Sequence, residues 1–281
     1  MAMDPDLLDP GERALAKRRS REEDERALAS GEKSSEPFVF PAEFDRLMRA
    51  DAVPLAWREI HAVAAFTYLR PGELRVLRWS DVDLEHGLIA VTRAWDSREL
   101  HEKAPKTRTG VRQIPIAASL APLLARRRAA ADESALVVPL LAATPEDDVA
   151  EMTRGHLRAA GIARPALFVD TATTVRANFR SWRDSGITWL ALSGLDVAKI
   201  QRRAGHETIS TTLGYVKQAE DFAGNLGEPF APLPACVIGA GRAKWRAKLA
   251  TPPRIPPSSL AEYQRRGRDS NPRRGFIPEP A

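Results

Sequence analysis

Residues 203–217, RAGHETISTTLGYVK, carry the reading of the whole chain. Gly205 follows a helical run from Val197 to Ala204, in the position where a left-handed cap ends a helix, and His206 comes directly after it. Ile209, Leu213 and Val216 predict an apolar face on a second helix, which carries Tyr215. Upstream, residues 180–189 (RSWRDSGITW) hold Arg180 and Arg183, and residues 67–74 (TYLRPGEL) hold Arg70. A tyrosine that attacks a phosphodiester needs little covalent assistance. It does need positive charge where the transition state spreads its own over the phosphate oxygens, and guanidinium forks match that geometry bidentately. Three distant boxes thus supply the candidate parts of one phosphoryl-transfer site.

Their order and spacing resemble the tyrosine recombinases, the phage-integrase family of site-specific recombinases. In that family an arginine sits in a Thr-Gly-Leu-Arg-x-Gly-Glu-Leu segment, and Thr67-Tyr68-Leu69-Arg70-Pro71-Gly72-Glu73-Leu74 departs from it only at the glycine. The family's second box is His-x-x-Arg, followed at fixed distance by Gly-His and then by tyrosine. Here 23 residues separate Arg183 from His206, and 9 separate His206 from Tyr215. Any one box arises by chance; three in order do not. The resemblance runs from about Phe40 to Lys217. It implies the DNA breaking-rejoining fold, mainly α with a small antiparallel β-sheet.

The residue pattern points to the same class. Phe44, Leu47 and Met48, then Trp57, Ile60 and Ala64, predict two helices leading into Arg70. Residues 88–91 and 112–116 read as short strands of a small antiparallel sheet. Helices are expected again at Leu120 to Ala130, about Glu146 to Ala160, and Ser185 to Leu192. The expected division is a charged N-terminal segment at 1–39, a catalytic domain at 40–226 and a Pro-rich, basic tail at 227–281. Within the tail, Gly227 to Pro234 reads as an extended linker. Full-length members of the family usually carry an N-terminal helical domain that clamps the DNA, and the 39 leading residues leave no room for one.

The resemblance also implies roles. Tyr215 attacks the scissile phosphate and forms a 3′-phosphotyrosine that conserves the bond energy, so rejoining needs no ATP and no cofactor. Arg70 and Arg183 hold the non-bridging oxygens, and His206 meets the phosphate from the opposite side. Lys106, on the loop before the second strand, protonates the leaving 5′ oxygen, with Lys103 as the alternative. Glu73 and Asp184 are expected to orient the arginines. Arg180 stands where the family usually has histidine or lysine: it can bind phosphate, but it cannot accept the tyrosine's proton at neutral pH. That leaves water or His206 as acceptor, or a slow or inactive descendant. Without the boxes, Tyr215 would read as an ordinary half-buried helix tyrosine, Arg183 as a salt bridge to Asp184 and Lys106 as a loop lysine.

Composition agrees without deciding. A net charge of +5 favours a polyanionic partner, here double-stranded DNA. The family's tetramer on two duplexes implies self-association. Cys236 is the only cysteine, which excludes an internal disulfide and a cysteine-cluster zinc site and suits a reducing cytoplasm. The apolar runs are too short to span a bilayer, so no membrane role is expected. A type IB topoisomerase shares the chemistry but lacks the arginine box; the non-enzymatic alternative is a remnant that binds DNA without cutting.

Overall fold

Residues 37–97, 99–104, 110–132, 134–170, 175–221 and 226–239 are described by the computed structural model. The expected N-terminal charged segment, apart from its last three residues, and the tail beyond Gly239 lie outside these residues. So does Lys106.

Helices α1 (Pro41–Arg49) and α2 (Leu55–Thr67) come first. Proline at the first turn fixes φ for α1, and Glu43 accepts the Phe40 backbone N–H at 2.8 Å. Helix α2 is buried on all sides, with Val63, Ala64, Ala65 and Phe66 among its buried residues. It ends at Tyr68, which takes a left-handed conformation at φ 44°. That is the position where the family's motif has glycine, and the torsion gives the reason: a side chain there carries a backbone strain that glycine avoids.

A five-residue helix, α3 (Pro71–Arg75), follows. Strands β1 (Val82–Asp83), β2 (Leu88–Val91) and β5 (Arg112–Pro115) form an antiparallel sheet in the order β1-β2-β5, with Ile89 opposite Ile114 and Val91 opposite Arg112. Between them β3 (Ala94–Asp96) and β4 (His101–Lys103) make a separate two-stranded ribbon. Helices α4 (Ala121–Arg128), α5 (Pro139–Ala143) and α6 (Glu146–Ala159) follow. Then come α7 (Ser181–Leu192), α8 (Val197–Ala204) and α9 (Ile209–Asp221), and the short α10 (Ala235–Ile238) closes the described chain. The domain is helix-rich with small antiparallel sheets.

Helices α2 and α7 form the centre. Phe44 of α1 packs its ring on Phe66, Trp182 and Trp189, so three helices meet in one aromatic cluster. Helix α7 starts at Ser181, four residues earlier than the sequence suggests, which places Arg183 and Asp184 in its buried first turn. Two further expectations change. Ile209 and Leu213 are about half exposed, and α9 packs instead through Thr212, Tyr215, Val216 and Ala219, a stripe at i, i+3, i+4 and i+7. The stretch read as an extended linker is docked on the domain: Phe230 meets Phe66 and Trp189 edge-on, Ser119 Oγ donates to the Phe230 carbonyl at 2.6 Å, and Val237 is fully buried. Its prolines restrict the backbone while Phe230, Leu233 and Val237, too widely spaced to show periodicity, supply the anchors.

Candidate active site

The C-terminus of α8 organises the site. A helix end leaves carbonyls without intrahelical donors and carries partial negative charge. Here three successive ones are each met by an arginine: Arg203 O by Arg112 Nε at 2.9 Å, Ala204 O by Arg183 Nη2 at 2.7 Å, and Gly205 O by Arg70 Nη2 at 3.1 Å. Gly205 makes this possible by turning left-handed, at φ 68°, and aiming the chain away. Three guanidiniums from three separate elements are thereby held against one helix end.

Glu73 is the shared counter-charge. It takes Arg112 bidentately, both contacts at 2.9 Å, and Arg70 Nη1 at 2.9 Å, while the Arg70 backbone N–H donates to it at 2.8 Å. Burial alone would raise its carboxyl pKa, but the hydrogen bonds and charge of Arg112, then of Arg70, outweigh that and hold it below the usual range. Glu73 thus joins Arg70 and Arg112 through one carboxylate. Arg112, which opens β5, is the residue that sequence reasoning misses; its only signal is the Arg-x-x-Pro pattern over Arg112 to Pro115.

Arg183 is 2% exposed and donates to Tyr68 O at 2.8 Å as well as to Ala204 O. Its expected alternative partner, Asp184, is not used. Burial and the neighbouring Arg70 lower its pKa to about 10, opposed by Glu73, so it stays charged at neutrality.

Tyr215 projects from the buried stripe of α9, and its ring stacks on His206 with centroids 5.5 Å apart and an interplanar angle of 13°. Its hydroxyl donates to Asp184 Oδ1. Asp184 is buried, its Oδ2 accepts no hydrogen bond from the described residues, and Arg180 Nε lies 3.7 Å from that atom. Burial, then the Asp184 charge and hydrogen bond, push the Tyr215 hydroxyl pKa up. His206 Nδ1 lies 3.0 Å from Thr212 Oγ1. Burial, followed by Arg183, Arg70, Arg112 and Arg180, lowers the His206 pKa to about 4, so the ring is neutral at pH 7.

Arg70, Arg183, His206 and Tyr215 thus come together from three boxes, with the half-exposed Arg180 at the rim. Lys103, on β4, pairs with Asp96. Among the described residues no group of three or more histidine, cysteine or acidic side chains could hold a metal, and no helix is long and apolar enough to cross a membrane.

Neutral buried histidines set an acid limit on stability. His61 is fully buried with Nε2 3.0 Å from His156 Nδ1, and burial, then His156, depresses its pKa well below the ordinary value; burial lowers that of His156 too. With His206 these groups bind protons more weakly folded than unfolded. Stability is full above the unfolded value of about 6.5 and is lost as pH falls through the window toward the folded values. The midpoint of thermal unfolding should therefore drop between pH 7 and 5, with a shallower slope in His61→Leu. Equal slopes in parent and variant would contradict this origin.

A model of the phage integrase family matches residues 37–221. Among solved structures, the Tn1549 transposon integrase in complex with transposon right end DNA superposes with a TM-score of 0.50 and 20% identity, over 67% of this chain and 66% of that one. The same integrase in complex with a circular intermediate DNA gives 0.51 and 22%, over 66% and 67%. The XerA recombinase gives 0.48 and 23%, over 65% and 59%. The chain thus spans about two thirds of the length of the solved integrase chains it matches. No curated protein matches. At these identities the structural likeness is one of fold.

Proposed function

The chain belongs to the phage integrase family, and on that premise we propose that it is a site-specific DNA recombinase that cuts and rejoins duplex DNA through a 3′-phosphotyrosine at Tyr215. One observation carries the reading. A tyrosine hydroxyl, a stacked neutral histidine and the guanidiniums of Arg70 and Arg183 meet at one helix end, although the sequence spreads them over nearly 150 residues.

The proposed chemistry follows from this arrangement. Four guanidiniums, those of Arg70, Arg112, Arg180 and Arg183, face two carboxylates, Glu73 and Asp184, so the pocket favours a phosphodiester anion. Arg70, partly exposed, offers its remaining donors to one non-bridging oxygen, and Arg183 stabilises the charge from beneath. Donor groups fixed on helix carbonyls before substrate arrives need no reorganisation during the reaction. If Thr212 donates to His206 Nδ1, the opposite ring nitrogen carries the proton and can donate to phosphate. Lys106 remains the proposed donor to the 5′ oxygen. Double-stranded DNA is the proposed partner, with a tetramer as the working assembly and the cytoplasm as the compartment. The proposed catalytic unit runs from residue 40 through the docked segment ending at Gly239. Since the Tn1549 integrase was solved on transposon DNA, the ends of a mobile element are the proposed substrates.

A library of nicked duplexes with a randomised core tests this even though the target sequence is not defined. Cleavage beside the nick releases a short strand that cannot religate, so the protein should be trapped as a denaturant-resistant adduct on a 3′ phosphate. Proteolysis should map the linkage to the peptide carrying Tyr215. Tight binding without any adduct would favour the second reading, a DNA-binding remnant, which the replacement of the family's histidine by Arg180 motivates.

A further inference from the structure

We infer that Asp184 is the base that takes the proton of Tyr215, filling the role that Arg180 cannot. The inference rests on the proposed recombinase chemistry and adds a catalytic residue to it. The Tyr215 hydroxyl already donates to Asp184 Oδ1, and Oδ2 accepts no hydrogen bond from the described residues. A carboxylate buried in this way costs free energy unless it is paired and hydrogen-bonded, and among the described residues its one side-chain hydrogen bond comes from the Tyr215 hydroxyl. It cannot drift away: Arg183, the preceding residue in the first turn of α7, is tied to Tyr68 O and Ala204 O. The other candidates are weaker. His206 faces the ring of Tyr215 rather than its hydroxyl and is surrounded by Arg70, Arg112, Arg180 and Arg183, which oppose its protonation. Arg180 Nε, 3.7 Å from Oδ2, sets a positive charge beside the carboxylate.

The step balances. As the phenolic oxygen bonds to phosphorus, its O–H bond breaks and the proton passes to Oδ1. The bond from phosphorus to the 5′ oxygen breaks, and that oxygen takes a proton from solvent or from the Lys106 ammonium. On rejoining, the 5′ hydroxyl gives its proton to solvent or to the Lys106 amine as its oxygen bonds to phosphorus, the bond from phosphorus to the Tyr215 oxygen breaks, and the Asp184 acid returns its proton to that oxygen. Complete transfer before attack is uphill, because the hydroxyl's pKa is raised, so the proton moves as the new bond forms and the phenolic oxygen acidifies.

Asp184→Asn keeps an acceptor oxygen but cannot hold the proton. Adduct formation on the nicked duplex should slow by roughly 100-fold or more, as loss of a general base does, with DNA binding retained. The variant's rate should rise with pH more steeply than the parent's, as phenolate replaces assisted transfer. A bridging 5′-phosphorothiolate, whose sulfur leaves without protonation, should not restore the variant, because the defect lies on the attacking side. In Asp184→Ala, added formate should restore part of the rate, which a purely structural loss would not allow. Parental or faster cleavage by Asp184→Asn, or full rescue by the phosphorothiolate, overturns the assignment. A parent that forms no adduct on any duplex overturns the functional reading and this inference with it.

Discussion

Tyr215→Phe is expected to form no covalent adduct on nicked duplexes while still binding them, because the ring that stacks on His206 is kept and only the attacking oxygen is lost. Tyr68, the other described tyrosine, is 2% exposed, and burial raises its hydroxyl pKa to about 12. The substitution carries a second signature. Removing the hydroxyl strips Asp184 Oδ1 of its donor and leaves a buried carboxylate without that hydrogen bond, which should cost about 1–3 kcal/mol of stability. Denaturant unfolding reads that cost directly. A variant that is as stable as its parent would show that the Tyr215–Asp184 contact is absent in solution, and one that still forms the adduct would move the nucleophile elsewhere.

Tyr215 itself is readable from sequence, since tyrosine after Gly-His at nine residues, with arginine boxes upstream, is a pattern of residue types and spacings. Its proposed proton acceptor is not. Asp184 follows an arginine in a box where adjacent opposite charges suggest a pair, and only the start of α7 at Ser181 turns it toward α9 and Tyr215. Arg112 is hidden for a similar reason. A lone arginine in a strand carries little local signal beyond its Arg-x-x-Pro pattern; its partners are Glu73, 39 residues away, and the Arg203 carbonyl, 91 residues away.

Elements with strong local determinants are readable almost to the residue. Helix α8 has periodic apolar positions and a glycine stop, and the expected span matches the observed one. Where a helix face must be chosen, the largest apolar side chains mislead: on α9, Ile209 and Leu213 point outward while the smaller Thr212 and Ala219 pack, because α9 lies close against α7. The β3–β4 ribbon, with three-residue strands, offers too few alternations to be seen. The docking of Phe230 and Val237 depends on a surface built by α1, α2 and α4, which no local pattern in a proline-rich stretch encodes.

The contact between α2 and α7 sets the distance between Arg70 and Arg183, and it turns on one atom's width. A Cβ on Gly186 would fall inside van der Waals contact of the Ala65 carbonyl oxygen and 3.1 Å from Tyr68 Cβ. Both obstacles are stiff, since one is the backbone of a fully buried helix and the other the left-handed residue that ends it. Gly186→Ala must therefore push α7 away from α2 and from the Tyr68 carbonyl that holds Arg183. We expect a loss of about 3 kcal/mol or more, the upper range for overpacking, with cleavage falling further than stability because Arg183 shifts relative to Arg70. Gly155→Ala provides the control. It makes the same substitution inside helix α6 with nothing within 4 Å, so relief of glycine's entropic cost should stabilise the protein by about 0.5–1 kcal/mol. Opposite signs for two identical substitutions, read from urea unfolding, are the expected result. If Gly186→Ala were neutral, α2 and α7 would not meet as closely as described, and the alignment of Arg70 with Arg183 would need another support.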